Sequence, residues 1–169
     1  MRRTVGIAAG VIGAAAILFV AASCGSDSTA PNSKTFVAAN MSSTNEQGPG
    51  VTPFTSTGSG TFTFVDAGTE FQWTLDLTNM TGVIASHIHL GDATAVGSTA
   101  GPVIINLFLP NGPTATLNGR VAHGSFNNAN NANISLDSLR VLFNNGHAYA
   151  NVHTSAHTAG EIRAQIVPQ

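Results

Sequence analysis

Glu70-Phe71-Gln72-Trp73-Thr74-Leu75-Asp76-Leu77-Thr78 alternates without a break: Phe71, Trp73, Leu75 and Leu77 face one way, and the polar residues between them face the other. A side-chain period of two is the pleat of a β-strand with one buried and one wet face. Just upstream, Thr61-Phe62-Thr63-Phe64-Val65 repeats the pattern, and Asp66-Ala67-Gly68-Thr69 between the two runs supplies turn chemistry. Together they predict an antiparallel hairpin.

Outward from that hairpin the chain continues in short strands. Residues 35–41 read as a first strand, and residues 42–59 as a loop interrupted by Gly48-Pro49-Gly50 and Pro53. Strands follow at 84–90 and 102–109, separated by a small-residue loop at 91–101; the turn Pro110-Asn111-Gly112-Pro113 ends the second. A strand at 114–121 is expected to turn Ala115, Leu117 and Val121 inward, and the Asn-rich stretch 127–133 is a solvated loop. Residues 135–144 are the one helical candidate. Ser135 or Asp137 would cap it, Leu136, Leu139, Leu142 and Phe143 form its apolar stripe, and Gly146 sits just past its end. Strands at 147–153 and 161–167, joined by 154–160, close the chain. Seven to eight antiparallel strands with one short helix predict an all-β sandwich or closed barrel.

Composition agrees. The chain has 169 residues, of which 8% are charged, six basic against eight acidic. Thr, Asn and Gly abound, while exposed helix formers such as Lys and Glu are scarce, which favours strands and turns. With so few Lys and Arg the chain cannot neutralise a run of phosphates, so nucleic acid is excluded as a partner. One cysteine excludes an internal disulfide framework and any Cys-rich zinc module.

That cysteine sits at an informative place. Arg2-Arg3 is a short positive start, residues 5–22 are an unbroken apolar and small-residue run, and Ala21-Ala22-Ser23-Cys24 closes it. This pattern reads as an export signal over residues 1–23. It resembles the bacterial lipobox, with Ala21 standing where leucine is usual, and the resemblance implies lipidation of Cys24. Residues 24–34, small and polar, would form a flexible tether, and residues 35–169 the domain. The expected location is therefore outside the cytoplasm, on the periplasmic or outer cell surface, with the membrane as partner through the lipid anchor.

Histidine carries most of the chemistry on offer. His87 and His89 flank Ile88, so a strand would put both imidazoles on one face, roughly 7 Å apart. Two such rings can chelate Zn²⁺ or Cu²⁺ through neutral nitrogens. His153 ends a later strand, His157 lies four residues on, and Glu161 opens the last strand with a carboxylate; each is a further ligand candidate if the segments are neighbours. His147 lies too far along its strand to share that shell, and the role of His123 is open. The competing reading is that the rings merely hydrogen-bond at a sheet rim. Glu161 and Arg163 are expected on the outer face of the last strand, as an ordinary ion pair. No Gly-x-Ser-x-Gly elbow and no phosphate-cradling glycine loop occurs, so no catalytic residues are assigned.

Three stretches together resemble the CHRD (chordin-type) domain: Ala85-Ser86-His87-Ile88-His89-Leu90-Gly91, Gly101-Pro102-Val103-Ile104-Ile105-Asn106-Leu107-Phe108, and Tyr149-Ala150-Asn151-Val152-His153-Thr154 with Gly160-Glu161-Ile162-Arg163-Ala164-Gln165-Ile166. The likeness runs over about residues 36–167. His87, His89 and His153 match family positions, whereas His157 replaces a residue of the usual loop. The resemblance implies an antiparallel sandwich of immunoglobulin-like or superoxide-dismutase-like Greek-key type. The His87-Ile88-His89 strand is also similar to the copper-ligand strand of copper/zinc superoxide dismutases, although the disulfide of that family is impossible with Cys24 alone.

Two functions follow as expectations. The first is a lipid-anchored, non-enzymatic module that binds an unidentified protein or envelope partner. The second is a histidine-based Cu or Zn site serving redox chemistry or metal storage.

Overall fold

The hairpin read from the sequence is the centre of the structure, a computed structural model that describes residues 33–46, 54–92, 101–131 and 133–169. The signal segment, Cys24 and most of the tether lie outside the described residues. Strand β2 (Ser59–Asp66) pairs with β3 (Phe71–Met80) from Ser59 opposite Thr78 to Asp66 opposite Phe71. The turn closes because Ala67 N–H donates to the Glu70 carbonyl at 2.9 Å and Gly68 N–H to Asp66 Oδ1 at 2.9 Å.

Around it the described residues form two antiparallel sheets. One runs β6-β3-β2-β1-β9, with β1 at Lys34–Met41, β6 at Leu117–Phe126 and β9 at Val167–Pro168. The other runs β5-β4-β7-β8, with β4 at Val83–Leu90, β5 at Val103–Phe108, β7 at Ala148–Thr154 and β8 at Ile162–Gln165. The molecule is thus an all-β sandwich. Phe36, Phe62, Phe64, Phe71, Trp73, Leu75 and Leu77 from the first sheet meet Ile88, Ala150, Val152 and Ile162 from the second, all buried. Apolar side chains at every second position are what both facing layers require.

The helix α1 (Leu136–Asn145) caps one end of this core. Ser135 accepts a hydrogen bond from Ser138 N–H, and Gly146, left-handed at φ 63°, ends the helix by donating to the last carbonyls. Phe143 packs edgewise on Phe36 and Phe71, with ring centres 5.4 and 5.3 Å away. Arg140 grips Asp66 through two hydrogen bonds of 2.7 and 2.9 Å, pinning the helix to the hairpin turn. Among the described residues no helix is long and apolar enough to cross a membrane.

Three expectations are corrected. The strand placed at 114–121 starts later, at Leu117, and Ala115 is exposed while Leu117 and Val121 are only half-buried. Its register on β3 shifts twice, between Leu75 and Asp76 and between Leu77 and Met80, so strict alternation fails along this edge strand. The final strand at 161–167 divides: β8 stays in the second sheet, buried Ile166 follows, and β9 crosses to pair with β1. Nine strands therefore stand among the described residues where seven to eight were expected. Last, Arg163 is buried rather than exposed, for reasons that belong to the site.

Candidate metal centre

Strand β7 is buried at every position, whereas a strand with one wet face should alternate. Ala148, Ala150 and Val152 face the sandwich core. The other face carries Tyr149, Asn151 and His153, and cross-strand pairing extends that polar stripe in both directions. His89 stands opposite Tyr149, His87 opposite Asn151, and Ala85 opposite His153 on one side; Arg163 stands opposite Asn151 on the other. The condition on which the histidine reading depended, that the two segments be neighbours, is met by the β4–β7 pairing.

On its Arg163 side the stripe is covered from above. Ser42 and Arg163 form a bridge with N···O distances of 3.4 and 3.3 Å, and this lays the short 3₁₀ turn Ser43–Glu46 over the sheet. Arg163 Nε–H donates to the Asn45 carbonyl at 2.6 Å, and Asn45 Nδ2 donates to the Arg163 carbonyl at 2.7 Å. Glu46 Oε2 lies 3.8 Å from Arg163 Nε, so the buried cation is paired with Glu46 and not with Glu161. Burial pushes the Glu46 carboxyl up to about 7, against the opposing pull of Arg163 and Asn151.

On the same face of the sheet His87, His89 and His153 converge, each with a ring nitrogen within 4.8 Å of the others. Backbone carbonyls set their tautomers. A carbonyl only accepts, so His89 Nδ1–H donates to Gly101 O at 2.7 Å and His153 Nδ1–H to Thr158 O at 3.0 Å. Both rings therefore present a bare Nε2. His153 Nε2 accepts from His87 Nδ1–H at 3.1 Å. His89 Nε2 has no hydrogen-bond partner, although His89 is 4% exposed. A buried acceptor left unmatched costs about 1–3 kcal/mol, so this atom calls for a partner.

All three rings are neutral at pH 7. Burial, then the nearby His153 and His89, holds His87 down to about 4. Burial also lowers His89 and His153, in each case against the raising effect of the carbonyl hydrogen bond. Neutral imidazole is the metal-binding form. Nitrogens sharing one ion at about 2 Å are roughly 2.9–3.4 Å apart at square to tetrahedral angles and about 4 Å apart across it. The 3.1 Å between His87 Nδ1 and His153 Nε2 falls in that range, and the 4.8 Å limit on the set closes with ring shifts of about 1–2 Å. Receiving an ion also requires His87 to move its Nδ1 proton to its own Nε2.

The remaining candidates stand elsewhere. His157 stacks on Phe54, ring centres 3.8 Å apart, and Glu161 accepts hydrogen bonds from the Ser56 and Thr154 hydroxyls. His123 is exposed on β6 opposite Thr74, and His147 is exposed before β7. Sequence reasoning missed Glu46, Tyr149, Asn151 and Arg163. The signal for two of them was present: Tyr149 and Asn151 share a period-two polar stripe with His153 against Ala148, Ala150 and Val152. Glu46, from a segment far away in the chain, left no such trace.

No curated protein and no solved structure matches the chain. A family model does: the CHRD domain, over residues 37–166, which spans β1 through β8 and takes in all three converging histidines. With nearly the whole described fold inside that match, the chain belongs to the CHRD domain family.

Proposed function

We propose that this CHRD domain is an exported, lipid-tethered binding module whose ligand is a transition-metal ion, Zn²⁺ or Cu²⁺, held by His87, His89 and His153. Family membership suggests a non-catalytic binding or structural module. The observation that carries the metal reading is His89 Nε2, buried and without a partner beside two further imidazole nitrogens. Three neutral nitrogen donors without a carboxylate suit Zn²⁺ and Cu²⁺ and disfavour Ca²⁺ and Mg²⁺, which need oxygen ligands. The tether rests on the lipobox-like end of the leader, Ala21-Ala22-Ser23-Cys24.

The test is elemental analysis of untagged protein offered Zn²⁺ and Cu²⁺ at neutral pH and then dialysed. About one ion per chain is expected, falling to background in His89→Gln. Less than about 0.1 ion per wild-type chain would reject the metal reading and leave the binding module without an assigned ligand.

A further inference from the structure

Tyr149 stands opposite His89 across the β4–β7 ladder, 1% exposed, and touches it in two ways. The rings stack directly, with centres 5.0 Å apart and planes 9° from parallel. The second contact is indirect. The Tyr149 hydroxyl accepts a hydrogen bond from Gly101 N–H at 3.1 Å, and the carbonyl of the same residue accepts from His89 Nδ1–H at 2.7 Å. The three residues therefore close a ring of contacts: stack, hydroxyl to amide, carbonyl to imidazole.

Gly101 belongs in that ring because nothing larger fits. A Cβ at this position would lie 1.5 Å from the Leu90 carbonyl oxygen, so the residue is wedged against the end of β4. On the far side, the Arg163 guanidinium lies 5.2 Å from the Tyr149 ring centre, so neighbouring strands hold the phenol from both sides.

We propose that Tyr149 is a positioning residue of the metal centre. It fixes the Gly101 amide, whose neighbouring carbonyl keeps the proton on His89 Nδ1 and so leaves Nε2 bare and aimed at His87 and His153. Which imidazole nitrogen binds a metal is set by the hydrogen bond the other makes, and here that acceptor is itself steered by a hydroxyl. Without the hydroxyl, Gly101 N–H loses its partner and the carbonyl loses its fixed direction, while the stacked ring survives. The proposal rests on the metal reading for its purpose, but its geometric claim concerns the metal-free chain.

The experiment uses the full chain, wild type and Tyr149→Phe, with two readouts. Nitrogen-15 NMR of the metal-free protein reports the His89 tautomer, and competition with a chromophoric chelator reports Zn²⁺ affinity. Wild type should show one tautomer, protonated at Nδ1. Tyr149→Phe should show a mixture and bind Zn²⁺ about 10–100-fold more weakly, with an unchanged circular dichroism spectrum. A single Nδ1–H tautomer and wild-type affinity in Tyr149→Phe would overturn the proposal, as would a wild-type His89 protonated at Nε2, whatever the variant does. Should wild type hold no Zn²⁺, the metal reading falls, and the tautomer measurement still decides what Tyr149 does.

Discussion

Acidifying the metal-free protein should destabilise it through the histidine cluster, and His87 allows the effect to be worked out. Its pKa drops from the ordinary 6.5 to about 4 on folding, chiefly because burial disfavours the charged ring. Between those two values the unfolded chain holds a proton on His87 that the folded chain refuses. Stability therefore rises with pH across that window and is lost as pH falls through it. Near pH 4.5 the unfolded ring is almost fully protonated and the folded ring mostly neutral, a penalty of about 2–3 kcal/mol relative to pH 7.

Glu46 acts in the opposite sense. Its folded pKa is raised from 4.5 to about 7, so the fold favours its protonated form, and that contribution is lost as pH rises through 7. The two windows overlap, so the wild-type profile alone would mix them. A comparison with His87→Gln separates them, because Glu46 is common to both proteins. Unfolding free energies from urea titrations at pH 7 and 4.5, after chelator treatment, provide the measure. Wild type is expected to lose about 2–3 kcal/mol more than His87→Gln over that interval. Equal losses in the two proteins would refute the argument that burial, reinforced by His153 and His89, keeps His87 neutral.

Two further outcomes are expected. Phe143→Ala should cost about 3–5 kcal/mol in urea or thermal unfolding, since the ring is fully buried against Phe36, Phe64 and Phe71; a loss below about 1 kcal/mol would contradict its place in the core. Cys24→Ala, expressed in an exporting bacterium, should move the domain from the membrane fraction to the soluble fraction, and unchanged membrane association would count against the lipid tether.

Much of the architecture was legible because it is written in neighbouring residues. The β2–β3 hairpin followed from two alternating runs and turn chemistry at Asp66–Thr69, and α1 from a cap at Ser135 or Asp137, which the structure assigns to Ser135, with an apolar stripe and Gly146. Where such local rules broke, the expectation broke with them. Along β6 the register slips against β3, so a period of two no longer predicts which side chain points inward. At the end of the chain a single alternating run serves two sheets, and the residue where it changes partner is chosen by where β1 and β7 already lie.

The candidate site divides in the same way. Shared facing of His87 and His89 needs only the pleat, so it could be read from three consecutive residues. Bringing His153 beside them required β4 and β7 to pair, and burying Arg163 on the same face required the 3₁₀ turn at Ser43–Glu46 to fold across β8. Arg163 shows the consequence most plainly: alternation put it in water, but the turn that carries Asn45 and Glu46 covers it and supplies its partners. Pleat, turn and cap are decided by chain stiffness and hydrogen bonds spanning a few residues, so any short window contains them. Which imidazole is dry, which nitrogen is left bare and which carboxyl is pushed toward neutrality depend on groups more than 40 positions apart meeting in space, as with Glu46 and Arg163. Desolvation belongs to that assembled neighbourhood rather than to any stretch of the chain.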